Sequence, residues 1–285
     1  MNSINSIQKL SILAAFALTT IACGTADIRP ESLKNGEPSA NSVAKGRAIL
    51  ERVFAASGGL DNWKKYASVR AKFRDDWSTA PAPAKWLFME YEEHNLPIQL
   101  DAVLGTFGNS RMTFLDGPEK GDVWGVVDAE RFYTIDAGKK TPVFAEHGGR
   151  QLFLQNAEFF ISFPFYLESA DQVTHLEEVD FEGKPHDLIF LSWKTFAPQP
   201  DIDQWQIWVD QATGLITQIK FTVRDTAPFI EGVYYFREYR KVGEFTMPRK
   251  ADARFSEDDA AAVHTYDFYE IEFLTEARTA EIIPQ

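Results

Sequence analysis

Carboxylates stand in adjacent pairs at Asp75/Asp76, Glu92/Glu93, Glu177/Glu178 and Asp258/Asp259. Two carboxyl groups facing each other across a cleft are what glycoside hydrolysis needs. Neighbours on a strand point to opposite faces, so none of these pairs supplies that geometry by itself, and they read as solvated faces. Asp75 stands apart, because at period two it shares a strand face with Phe73 and Trp77. The histidines His94, His147, His175, His186 and His264 are scattered, without HExxH and with a single cysteine in the chain, so no metal site is expected. The sequence holds no GxSxG elbow, phosphate loop or dinucleotide fingerprint, and "GTFGN" at 105–109 reads as a turn. Neither catalysis nor a cofactor is expected. The seven tryptophans alternate along strand-like runs, which suits half-buried core better than carbohydrate-stacking platforms.

The single cysteine does suggest chemistry. Cys23 follows Lys9 and the apolar run Leu10 to Leu18, a run too short to span a bilayer but of h-region length. With Ala22 before it and Gly24 after it, Cys23 resembles the bacterial lipobox, although Thr20 stands where that pattern prefers Leu. The expectation is a signal peptide over 1–22, removed to leave Cys23 carrying a covalent diacylglycerol. At ~0.8 kcal/mol per buried CH₂, several acyl chains would anchor a domain without a spanning helix. Gly24, in place of Asp, resembles the outer-membrane sorting pattern, which places the chain on that membrane facing the periplasm. The net charge of −13, from 42 acidic and 29 basic residues, disfavours nucleic acid or an anionic lipid surface as an electrostatic partner.

These residues need elements to position them. Residues 23–41 are rich in Pro, Gly, Ser and charge and read as a lipidated N-terminus with a flexible tether, followed by one domain over 42–285. The spacing of Val43, Ile49, Val53 and Phe54 predicts an amphipathic helix with Asn41 or Ser42 as N-cap, ended by Gly58 and Gly59. From Ser68 the period becomes two. "VRAKFRDDW", "KWLFMEYE", "SRMTFL", "DVWGVV", "RFYTI", "DLIFLSWK", "QWQIWVD", "LITQIKFTV", "GVYYFREYR", "RKADARF" and "VHTYDFYEIEF" predict about eleven antiparallel strands in a meander. The class is mainly β with few helices. For one hairpin, facing Trp205 with Ile219 and Ile207 with Thr217 keeps apolar residues together, with Gly214 in the turn, whereas a shift by one opposes Trp205 to Lys220.

"QNAEFFISFPFYLES", residues 155–169, is far more apolar than the rest. Asn156 could cap one helical turn carrying Phe159, Phe160 and Phe163, with Pro164 interrupting it and Leu167 following in an extended stretch. Such a segment must lie on something apolar. A self-filled closed barrel leaves it no place, whereas an open, curved sheet has a concave face that helices can cover. It could be a plug completing the core or a lid over a ligand cavity, and both readings stay open.

This combination resembles the Lol-type lipoprotein carrier and acceptor superfamily. "ILERVFAASGGLDNW", "WQIWVDQATGLITQIKF" and "YYFREYRKVGEFTMPRKADARF" carry the resemblance. It implies a curved, half-open β-barrel, lidded by an N-terminal helix and a short apolar helical segment, with acyl chains held on the concave side. Phe159, Phe160, Phe163, Leu167, Trp205, Ile207 and Ile219 are then the candidate ligand-binding residues. The function expected is a membrane-anchored, non-enzymatic envelope lipoprotein that binds a lipid, an acylated ligand or another apolar molecule. An envelope lipid- or glycan-acting enzyme and a structural module with a protein partner are the alternatives.

Overall fold

The structure is a computed structural model that describes residues 25–91, 93–224, 227–258 and 261–284. Two helices lead in: α1 (Glu31–Lys34) and α2 (Ala40–Ser57), the latter capped by the Ser39 hydroxyl, which accepts from the Ser42 amide at 3.1 Å. After α3 (Leu60–Trp63) come β1 (Ser68–Asp76), α4 (Ala82–Phe88), β2 (Ile98–Val103), β3 (Ser110–Phe114), β4 (Val123–Val127), β5 (Arg131–Ile135) and β6 (Val143–Phe144). Helix α5 (Gly148–Ser162) and a 3₁₀ turn (Phe165–Ser169) then carry the chain to β7 (Gln172–Phe181). From there it returns through β8 (Lys184–Ser192), β9 (Gln204–Asp210), β10 (Ile216–Val223) and β11 (Ala227–Arg237). The hairpin β12 (Arg240–Val242) and β13 (Phe245–Met247), strands β14 (Lys250–Arg254) and β15 (His264–Leu274), and α6 (Thr279–Ile282) complete it.

Thirteen strands form one antiparallel sheet in the order β6-β5-β4-β3-β2-β1-β15-β14-β11-β10-β9-β8-β7, with β12 and β13 apart as a two-stranded pair. The sheet is not closed: β6 and β7 are its edges, and α5 with the 3₁₀ turn links them. Ring contacts require the sheet to curl around that helix. Phe153 lies 6.5 Å from Trp124 on β4, and Phe159 lies 5.0 Å from Trp205 on β9. Six helical residues rise only ~9 Å. Strands β4 and β9 are eight positions apart in the order, about 38 Å in a flat sheet at ~4.8 Å spacing, well beyond what one helix can bridge.

Helix α2 packs on the other end of the sheet, against β7, β8 and β13, burying Ile49, Leu50, Val53 and Phe54. Gly46 makes this approach possible, because a Cβ there would stand 2.7 Å from the His175 amide nitrogen on β7. Upstream of α2, in the stretch read as a tether, Ile28 and Leu33 bury against Phe190, and Arg224 donates to the Ala26 carbonyl.

Several local expectations are corrected. The strand count of about eleven falls short of the fifteen observed among the described residues, the expected runs omitting β2, the long edge strand β7 and the short β6, β12 and β13. The first half of the "KWLFMEYE" run, residues 85–88, lies in α4, which begins behind Pro81 and contains Pro83 in its first turn, a position where a missing amide costs nothing. The N-cap of α2 is Ser39 rather than Asn41 or Ser42. In the β9–β10 hairpin Ile219 faces Ile207 and Phe221 faces Trp205, with an irregularity between Ile216 and Gln218, so the pairing is two residues off. Beyond the irregularity a slip of two preserves the faces, while next to the turn Val209 faces Ile216, and Gly214 takes φ +73° in the turn as expected. The apolar segment is not one turn followed by an extended stretch. It is a fifteen-residue helix starting at Gly148, with Asn156 in mid-helix, and Pro164 opens the 3₁₀ turn.

Candidate functional site: an apolar trough under a helix, with a buried carboxylate at one end

Helix α5 has two sides of different character. Phe153, Leu154, Ala157, Phe160 and Ile161 are buried in the sheet's concave face. Gln151, Gln155 and Glu158 recur at i, i+4 and i+7 as a polar seam. Both glutamine amides donate to the Ala129 carbonyl, at 2.9 and 3.2 Å. Glu158 accepts from the Gly108 amide at 2.8 Å and the Ser110 hydroxyl at 2.7 Å. The helix is thus fastened by hydrogen bonds to the loops beside β2–β5 and by aromatic contact to β9, β11 and β15. Burial is the dominant influence on Glu158 and raises its pKa to about 7, against the lowering effect of these donors.

The slot that receives the helix is built by register. Ala251 and Ala253 on β14 stand between Phe236 and Tyr234 of β11 and Tyr266 and His264 of β15. Two methyl groups between rows of rings leave a groove, and Phe160 lies over it, 4.5 Å from Tyr234, 5.0 Å from Tyr266 and 5.9 Å from Phe236. Phe163 stacks on Phe236 at 4.8 Å. Leu167, Ile207 and Ile219 are fully buried, the last two as a cross-strand pair. The seven apolar residues singled out from the sequence, Phe159, Phe160, Phe163, Leu167, Trp205, Ile207 and Ile219, therefore lie in one cluster. Phe160 at 3% exposure and Phe163 at 1% are equally part of the packed interior. Cys23 and Gly24 lie outside the described residues.

One end of the trough is polar. Asp75, 1% exposed, accepts from His264 Nδ1 at 2.6 Å through Oδ1, and from Trp77 Nε1 at 2.5 Å and the Tyr91 hydroxyl at 2.7 Å through Oδ2. The His264 ring stacks on Trp77 at 4.3 Å. Directly across the β1–β15 ladder from Asp75 stands Tyr266, whose buried hydroxyl has no hydrogen-bond partner among the described residues. Burial, and then the nearby Asp75 charge, push Tyr91, Tyr234 and Tyr266 above the ordinary phenol value, so all three keep their protons. The alternation Phe73, Asp75, Trp77 had marked one wall. His264 lies 189 residues away, so only strand pairing could bring it there.

A second polar group, His175, Glu178 and Asp187, brings three possible ligand atoms within 4.8 Å of one another. Lys45 stands 2.9 Å from Glu178, and Arg52 2.6 Å from Asp187. These cations already compensate the carboxylates, so the cluster is an ion-pair network fastening α2 to β7 and β8. Burial, then Lys45, lower the His175 pKa. Two surface pockets, one lined by Glu276, Arg278 and Glu281 and the other by Arg70, Lys72, Arg240 and Glu270, lie away from the trough. No helix among the described residues is long and apolar enough to cross a membrane.

No protein-family model and no curated protein matches the sequence. Solved structures do match in shape. A DUF1329 family protein from Desulfovibrio piger superposes with a TM-score of 0.51 at 10% identity, covering 85% of this chain and 98% of its own. A LolA superfamily protein from Nitrosomonas europaea gives 0.48 at 10% identity, covering 80% and 92%. A putative outer membrane lipoprotein-sorting protein domain from Vibrio parahaemolyticus gives 0.49 at 12%, covering 81% and 93%. At 10% identity what this chain shares with the DUF1329 family protein is the fold, here a mainly β, unclosed antiparallel sheet.

Proposed function

We propose that this protein is a lipid-anchored envelope lipoprotein that binds an acyl chain, or an apolar ligand of similar shape, in the trough beneath α5. The observation that carries the reading is the two-sided attachment of that helix: hydrogen-bonded along one flank, and held along the other by rings that a hydrocarbon can replace. A ligand entering between α5 and strands β9–β11 exchanges one apolar surface for another, while the polar seam keeps the helix in register. The anchor is the diacylglycerol on Cys23, and Gly24 directs the chain to the outer membrane, facing the periplasm. The names borne by two of the structural neighbours, LolA superfamily and lipoprotein sorting, agree with this reading.

Native mass spectrometry of the protein purified from its own envelope, with titration of a fluorescent acyl probe, tests it. Co-purified lipid and saturable probe binding are expected. A lipid-free protein that binds no probe would mean that the trough is a self-filled core and the protein a structural module.

A further inference from the structure

The polar end of the trough has a chemistry of its own. Three donors, from His264, Trp77 and Tyr91, converge on the Asp75 carboxylate, and among the described residues no Lys or Arg hydrogen-bonds or pairs with it. A carboxylate so surrounded only accepts, so Nδ1 of His264 carries the proton shared with Asp75. In the neutral imidazole its Nε2, on the far side of the ring, is then an acceptor. The His264 side chain keeps 11% of its surface exposed, which places the ring at the mouth of the cluster. Behind it Tyr266 is fully buried, its ring 5.0 Å from that of His264 and its hydroxyl without an acceptor. An orphan donor in an apolar interior is costly, so a group that accepts from it is strongly favoured there.

We infer that Asp75, His264 and Tyr266 form the headgroup subsite for an uncharged acyl ester bearing a free hydroxyl, of the monoacylglycerol type. Its carbonyl oxygen accepts from the Tyr266 hydroxyl, and its hydroxyl donates to His264 Nε2. The acyl chain runs along the Ala251–Ala253 slot that Phe160 covers, since Tyr266 borders both the slot and the polar cluster. A fatty-acid carboxylate or a phosphate would instead set a second negative charge beside buried Asp75 with no cation to offset it. The inference rests on the lipid-binding reading above, and it adds the ligand's class and its orientation.

The test uses three probes with the same fluorescent chain: a monoacylglycerol, the free fatty acid, and an alkyl chain without a headgroup. The wild-type chain should bind the monoacylglycerol about tenfold more tightly than either of the others. Tyr266→Phe should abolish that preference while leaving the headless chain unaffected and the melting temperature equal or higher, because it removes an unsatisfied hydroxyl. His264→Asn keeps a donor toward Asp75 and loses the Nε2 acceptor, and should abolish the same preference. Equal affinities for the three probes, or a preference that survives both substitutions, would overturn the headgroup subsite and leave acyl binding intact. Failure of all three probes to bind the wild type would overturn both.

Discussion

Glu158 offers a stability experiment whose sign and size follow from the structure. The carboxylate sits in the middle of α5, 1% exposed, and burial raises its pKa from 4.5 to about 7. The unfolded chain releases this proton above about pH 4.5, whereas the folded protein holds it until about 7. Unfolding therefore releases a proton between those limits. The stability linked to this group is fully present below pH 4.5, is lost as pH rises through 7, and is constant above. A shift of about 2.5 units at ~1.36 kcal/mol each gives about 3 kcal/mol, most of it between pH 5 and 8. Glu158→Gln replaces the neutral acid by a neutral group of the same shape. Its carbonyl accepts from the Gly108 amide, and its amide donates to the Ser110 oxygen, whose hydroxyl can rotate to accept. The variant should thus match the wild type near pH 4.5 and exceed it by about 3 kcal/mol at pH 8, roughly 6 to 12 °C in melting temperature for a domain of this size. Thermal melts of both proteins from pH 4.5 to 8.5 measure this, and taking their difference removes the histidines, which are common to both. If the variant is the less stable at pH 8, or if the difference does not change with pH, Glu158 does not hold a proton in the folded protein.

Three further outcomes are expected. Phe160→Ala empties the slot over Ala251 and Ala253 and should cost about 3–5 kcal/mol, read as a fall of roughly 10 °C in melting temperature; a fall of under 3 °C would show that the ring is not part of the packed interior. Asp75→Asn keeps the shape but replaces one acceptor oxygen by a donor facing either His264 or the Trp77 and Tyr91 donors, and should destabilise by about 2–4 kcal/mol in urea titration at pH 7; an unchanged midpoint would mean that the carboxylate is not needed there. Cys23→Ser should abolish incorporation of radioactive palmitate and release the protein from membranes, and a variant that still labels and sediments would rule out the lipid anchor.

What the sequence determined by itself was local. Period two from Ser68 onward announced a mainly β chain, the stripe Val43, Ile49, Val53, Phe54 announced α2, and Gly214 announced a left-handed turn, because each depends on neighbours within a few residues. The apolar weight of residues 159–167 also announced that something wide must cover them. Only the tertiary structure decided how. The helix begins at Gly148, eight residues before the expected Asn156 cap, because its first two turns are stabilised by the Gln151 and Gln155 bonds to Ala129 and by Phe153 among Trp124, Tyr91 and Tyr266, contacts no local period can announce. The β9–β10 pairing settled two residues from the expected register because a local irregularity near Thr217 intervenes, while the choice of faces, which hydrophobicity controls, was right. The polar end of the trough was the least legible part. Asp75 looked unusual beside Phe73 and Trp77, but its partner His264 reaches it only because β15, nearly the last element of the chain, pairs with β1, nearly the first. Ladder pairing at such sequence separation is set by how the whole open sheet curls around α5, and for that reason a carboxylate that reads as one half of a surface pair becomes the buried centre of the site.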